Sequence, residues 1–163
     1  LSIDTETQPS FRLGEWHPTS LLQIATSRDA DGQEDVLVID LLRLKNGLLL
    51  PASLSAILCG PFGSPDVLKL GVGLADDLDN LSFAFGKAPF LKKVPGVLNL
   101  NALHFLSGEE LVRDELGRPC ETGLRKLASI YLGRSLSKKQ QTSTWARRPL
   151  KDAQITYAAC DAL

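Results

Sequence analysis

The sequence contains no methionine, only two histidines and only three cysteines in 163 residues. Zinc sites want closely spaced Cys and His pairs, and Cys59, Cys120 and Cys160 stand far from one another and from any useful histidine. Three cysteines cannot all pair, so the simplest reading is reduced thiols in an intracellular protein, nuclear or cytoplasmic. His17 and His104 have no partner at ligand spacing and read as loop or surface residues. The missing methionine points to a single domain, residues 1–163, cut from something longer. No apolar run approaches the ~20 residues of a membrane-spanning helix, since Leu48 to Cys59 is broken by Pro51 and two serines. No N-terminal stretch has the order of a signal peptide. Repeats and low-complexity tracts are absent, and no membrane partner is expected.

What is present is ordinary globular material, 44% hydrophobic and 23% charged, in a length suited to one core. The first half reads as three strands, Leu1–Thr5, Ser20–Thr26 and Asp35–Leu41. Gln8–Pro18 is a polar connection, and Asp31-Gly32 is a hairpin signal that makes strands two and three antiparallel. A helix over Ala52–Leu58 is ended by Gly60-Pro61. Val67–Val72 is a fourth strand, Ala75–Phe85 a helix, and Val97–Leu100 a short fifth strand. A helix follows at Leu103–Leu106 or at Glu109–Leu116. Thr122–Leu132 is amphipathic, and Lys151–Leu163 is the final helix. This order predicts an α/β fold, a mixed five-stranded sheet flanked by helices.

Acidic residues recur at telling intervals. Asp4 and Glu6 lie two apart on the first strand, so both carboxylates face one side. Two like charges there cost free energy unless something positive stands beside them. Tyr157 and Asp161 lie four apart on the final helix, stacked on one face. Asp76, Asp77 and Asp79 follow Gly71-Val72-Gly73 at a strand end. Helix capping accounts for one or two of these three, but not for the first-strand pair. Each piece alone is common. Together they bring four carboxylates from three elements, and hard oxygen ligands suit Mg²⁺ or Mn²⁺. Four negative charges call for about two divalent cations, the two-metal arrangement of nucleases and polymerases.

These motifs resemble those of the DEDD 3′–5′ exonucleases. Ile3-Asp4-Thr5-Glu6-Thr7 is similar to their first motif, and Gly71-Val72-Gly73-Leu74-Ala75-Asp76-Asp77 to their second. Tyr157-Ala158-Ala159-Cys160-Asp161 matches the third motif in its tyrosine form. Leu22-Gln23-Ile24, Gly123-Leu124, Leu127-Ala128, Trp145 and Arg148-Pro149-Leu150 add support. The pattern is similar to the group that includes the Werner-syndrome exonuclease domain and ribonuclease D. The resemblance implies a ribonuclease H-like sheet with its first three strands antiparallel. It also implies that Asp4, Glu6, Asp77 and Asp161 hold two divalent cations. It makes Tyr157 the residue that positions the attacking water and helps to deprotonate it. Asp76 beside Asp77 is the other reading of the second motif. The histidine form of the third motif is excluded, because no histidine follows His104. Asn99 and Asn101 depart from the pattern where relatives often show an aspartate.

The net charge of −1 conceals an asymmetry. Residues 118–151 carry nine basic residues and one acid, while residues 1–117 carry nine basic residues and sixteen acids. A basic segment just before the third motif is where a phosphate backbone would be gripped, with Lys138, Lys139, Arg147 and Arg148 as candidates. A solvated face is the bland alternative. Trp145 could stack on a base or anchor the loop from within. The expected activity is release of nucleoside 5′-monophosphates from the 3′ end of DNA or RNA. A catalytically silent nucleic-acid-binding module and an endonuclease of ribonuclease H type are the rival readings.

Overall fold

The computed structural model of the chain describes residues 1–27, 32–44, 49–108, 113, 115–118 and 120–163. Five strands form one sheet: β1 (Ser2–Thr7), β2 (Thr19–Ala25), β3 (Val36–Asp40), β4 (Lys69–Gly71) and β5 (Val97–Asn99). Their order is β3-β2-β1-β4-β5. β1 pairs antiparallel with β2, and β2 with β3, whereas β4 and β5 run parallel to β1. This is the mixed sheet, antiparallel over its first three strands, that the resemblance implies. The helices are α1 (Leu41–Leu44), α2 (Ala52–Gly63), α3 (Leu74–Phe85), α4 (Leu100–Leu106), α5 (Leu124–Leu132) and α6 (Asp152–Ala162). A 3₁₀ turn covers Pro89–Leu91. Among the described residues no helix is long and apolar enough to cross a membrane.

The sheet is covered on both faces. Ile3, Leu22 and Ile24 enter the larger core with Leu58 and Phe62 of α2 and Leu74, Leu81 and Phe85 of α3. On the other face Leu21 meets Trp145 and Ala158, with Val38, Leu150 and Tyr157 around them. β2 is therefore buried along its whole length, and it reads as a near-continuous run rather than an alternating one. The alternation of β1 puts Ile3 into the larger core and turns Asp4 and Glu6 to the face that α6 covers.

Two glycines let β4 pass into α3. A Cβ on Gly71 would stand 2.8 Å from the Ile3 carbonyl oxygen, closer than real contacts allow. Gly73 opens α3 in the left-handed region at φ +71°, where side chains are strained. Between them they bring the start of α3 down onto β1. On β4, Lys69 is fully buried, and its Nζ donates to the carbonyls of Ser64 (2.6 Å) and Pro95 (2.9 Å).

Several expectations need correction. α2 does not stop at Gly60-Pro61 but runs through Pro61 to Gly63. The proline falls in the last turn, where its missing N–H forfeits only one hydrogen bond. The next residue repays the extension, because Phe62 is fully buried edge-on to Phe90, centroids 5.2 Å apart. β3 ends at Asp40, and Leu41 opens α1 instead. α4 starts three residues earlier than expected, at Leu100, capped by the Asn99 side chain. The alternative helix over Glu109–Leu116 and the Asp31 half of the hairpin turn lie outside the described residues; Gly32 is left-handed at φ 78°.

Phe62→Ala should lower the unfolding free energy by about 3–5 kcal/mol, the usual result of deleting a buried aromatic. Urea denaturation reads this directly, and a midpoint equal to wild type would show that the Phe62–Phe90 contact does not hold α2 down.

Candidate active site

The proposed ligands converge from three elements. β1 supplies Asp4 and Glu6, and α6 lies across the same face with Tyr157 and Asp161 one turn apart. One carboxylate oxygen from each of Asp4, Glu6 and Asp161 lies within 4.8 Å of the other two. α3 brings Asp77 to β1, where its Oδ1 accepts a hydrogen bond from Thr5 Oγ1 at 2.6 Å. Asp76 and Asp79 remain exposed on the outside of that helix. The register that selects Asp77 thus agrees with the placement of the side chains, although Asp77 is not part of the close triple.

Crowding shows in the proton affinities. Burial, then the charges of Asp77 and Asp161, push the Asp4 carboxyl up to about 7. Burial, followed by Asp4, Asp161 and Asp77, pushes Glu6 up to about 9. Asp77 rises to about 6, chiefly by burial, with the Thr5 hydrogen bond holding it back and Asp76 adding to it. Asp161 is raised by burial and held back by the nearby Tyr157 phenol. The phenol itself is pushed well above its ordinary value, first by burial and then by Asp161, Glu6 and Asp4. Among the described residues none of the four acids has an ion-pair partner.

This donor set fits a divalent cation. Three carboxylates converge with nothing positive among them, and hard oxygen donors are what Mg²⁺ and Mn²⁺ prefer. Gln23, which stands opposite Asp4 across the β1–β2 register, is fully buried with neither amide atom bonded among the described residues. An orphaned amide beside crowded acids marks a polar site rather than a closed core.

A cleft of about 260 Å³ opens over Asp4, Tyr157 and Asp161. Arg125, Lys138 and Gln141 line it as well, among the apolar side chains of Leu100, Leu124 and Leu136. Lys138 lines this cleft, while Lys139 and Arg147 are exposed on the same segment. Arg125 and Gln141 were missed as site residues. The signal available for Arg125 was its place just after Gly123, which caps the start of α5. A larger cavity of about 330 Å³ between α2 and the 3₁₀ turn is lined mainly by apolar side chains and holds no acid.

Two nucleic-acid contacts expected from sequence are corrected. Trp145 is fully buried, 6.1 Å centroid to centroid from Tyr157, so its faces are closed to a base and it anchors the loop from within. Arg148 turns inward and forks onto Asp40, with Nε to Oδ2 at 2.6 Å and Nη2 to Oδ1 at 2.7 Å. A guanidinium committed in this way cannot also track a phosphate backbone. All three cysteines stand free of disulfides.

The proton affinities predict how stability depends on pH. Carboxyls with raised folded values bind protons more tightly folded than unfolded. In metal-free protein their contribution is complete below the ordinary carboxyl value near 4. It is lost as pH rises through about 6 for Asp77, 7 for Asp4 and 9 for Glu6. The melting temperature of metal-free Asp4→Asn should exceed that of wild type at pH 8 and match it near pH 4. Equal differences at both values would show that Asp4 is not under this strain.

The family model described as 3′–5′ exonuclease matches residues 1–163. The human "Exonuclease mut-7 homolog" is 30% identical over 167 residues, covering 99% of this chain and 18% of its own length. Ribonuclease D of Gluconacetobacter diazotrophicus is 29% identical over 161 residues, 99% of this chain and 34% of its own. The chain thus spans well under half the length of these relatives. The crystal structure of the Aedes aegypti Nibbler EXO domain superposes with a TM-score of 0.74 at 29% identity, over 99% of this chain and 71% of that one. With one family model spanning its length and one fold shared with a solved exonuclease domain, the chain belongs to the 3′–5′ exonuclease domain family.

Proposed function

We propose that this chain hydrolyses the terminal phosphodiester of nucleic acid from the 3′ end, releasing nucleoside 5′-monophosphates. The observation that carries this reading is the convergence of Asp4, Glu6 and Asp161 oxygens within 4.8 Å, facing a cleft with a basic wall. Asp4, Glu6 and Asp161 would hold one Mg²⁺ or Mn²⁺, and Asp77 with Asp4 a second. Such cations supply Lewis-acid activation of water and neutralise charge on the leaving 3′ oxygen.

The chain's own residues do the rest. The Tyr157 phenol is held protonated by burial and by the acids around it, so it works as a hydrogen-bond donor that orients the nucleophile beside Asp161. Arg125 and Lys138 face the acids across the cleft and bind the phosphates. Lys139 and Arg147, exposed on the same segment, extend that grip along the strand. The acidic and basic walls divide the labour between chemistry and binding, which explains why the two charges are separated along the chain.

Purified protein, incubated with Mg²⁺ or Mn²⁺ and 5′-labelled RNA, single-stranded DNA or recessed duplex, should shorten the strand one nucleotide at a time. Asp4→Ala should reduce the rate by about 10³-fold, and Tyr157→Phe by about 10²-fold. Binding without shortening would establish the silent module instead, and internal cuts without mononucleotides an endonuclease. Full activity in Asp4→Ala would sink the assignment of the site.

A further inference from the structure

The carboxylate of Asp40, at the end of β3, is engaged at both oxygens. Arg148 donates Nε to Oδ2 and Nη2 to Oδ1, and the backbone N–H of Arg43 reaches Oδ1 at 3.1 Å. The same guanidinium donates through Nη1 to the Trp145 carbonyl at 2.6 Å and to the Arg147 carbonyl at 2.8 Å. One rigid, planar cation therefore joins the edge strand of the sheet to the loop that carries Trp145. Neither Asp40 nor Arg148 lines the acidic cleft.

The chain of contacts continues inward. The Trp145 indole is fully buried and lies tilted by 42° against the ring of Tyr157. Tyr157 stands one helical turn before Asp161 on α6, and both side chains line the acidic cleft. The loop has a second tie, because Gln154 of α6 donates Nε2 to Ser143 Oγ (3.0 Å) and to the Thr144 carbonyl (3.4 Å). Loosening the Arg148 fork should therefore shift the indole without releasing the loop. The ion pair is about one-fifth exposed at each partner, so its Coulombic value is modest. What it contributes is the direction of four hydrogen bonds, which a lysine cannot reproduce.

We propose that Asp40 and Arg148 are positioning residues: their fork sets where the Trp145 indole stands, and so where the Tyr157 phenol meets Asp161. This rests on the exonuclease reading, in which Tyr157 orients the nucleophile. A catalytic group displaced by ~1 Å can lose up to about 10²-fold in rate, so a side chain that never touches substrate can still govern turnover.

The test is a double-mutant cycle on the protein with its metal present, followed by ring NMR without substrate. Arg148→Lys should lower kcat about tenfold and leave KM within about twofold. Added to Tyr157→Phe, it should leave kcat at the Tyr157→Phe value, because the phenol it would misplace is already gone. Asp40→Asn should act in the same direction. Effects that multiply, or a raised KM at unchanged kcat, would overturn the proposal, the latter by making Arg148 a substrate contact. The second readout needs no activity. The ring-proton signals of Tyr157, assigned with Tyr131→Phe, should move in Arg148→Lys, while those of Tyr131 stay in place. Unmoved Tyr157 signals would overturn the positioning role. Wild-type protein that cuts nothing, with Tyr157 signals that still move, would sink the exonuclease reading and leave the positioning of the phenol supported.

Discussion

Three carboxylates within 4.8 Å of one another, with a fourth close behind, form the constraint on which the rest of the fold depends. Mutual repulsion and burial both oppose ionisation there, and the acids answer by holding protons well above their usual range. Such a cluster persists only because stronger interactions elsewhere over-determine the backbone. β1 is hydrogen-bonded on both sides, to β2 and to β4. α6 lies on the sheet through Ala158 and the fully buried Trp145. α3 is brought in by Gly71, where a Cβ would crowd the Ile3 carbonyl oxygen, and by Gly73, which takes the left-handed φ of +71°. The four acids are thus fixed by three elements, β1, α3 and α6, and relaxing any one of them means moving an element.

The two faces of the sheet serve different ends. The larger core, with Phe62, Leu81, Phe85 and Phe90, is apolar and carries stability. The α6 face is thinner and mixed, with Leu21, Trp145 and Ala158 set beside Gln23, Glu6 and Gln154. Polar atoms left unbonded among the described residues concentrate on β2, at Thr19, Ser20 and Gln23.

Electrostatic asymmetry organises the cleft in the same way. Arg125 and Lys138 line it together with Asp4 and Asp161, and among the described residues no ion pair joins these cations to these acids. Direct pairing would quench both charges, whereas separation keeps both signs of charge in one cleft. Arg148, another cation of the same segment, is turned inward by Asp40 and spends its donors on the scaffold.

Much of this was legible in the sequence. The period of a strand places Asp4 and Glu6 on one face, and the turn of a helix places Tyr157 over Asp161, so both pairs could be read locally. The glycines before Asp77 announced a tight strand end, and the five strands emerged in order. What could not be read depended on partners far along the chain. Asp40 and Arg148 are 108 residues apart, and nothing in a run of basic residues tells which one folds inward. Trp145 looked the same as an exposed stacking platform until Leu21 and Ala158 were seen to enclose it. Pro61 looked like a stop because the pull of Phe90 on Phe62 was invisible. By itself the sequence determined which residues carry charge and which share a face, because those follow from the backbone repeat. Only the tertiary structure decided which of them meet, because burial and pairing are set by distances that close when the sheet is assembled.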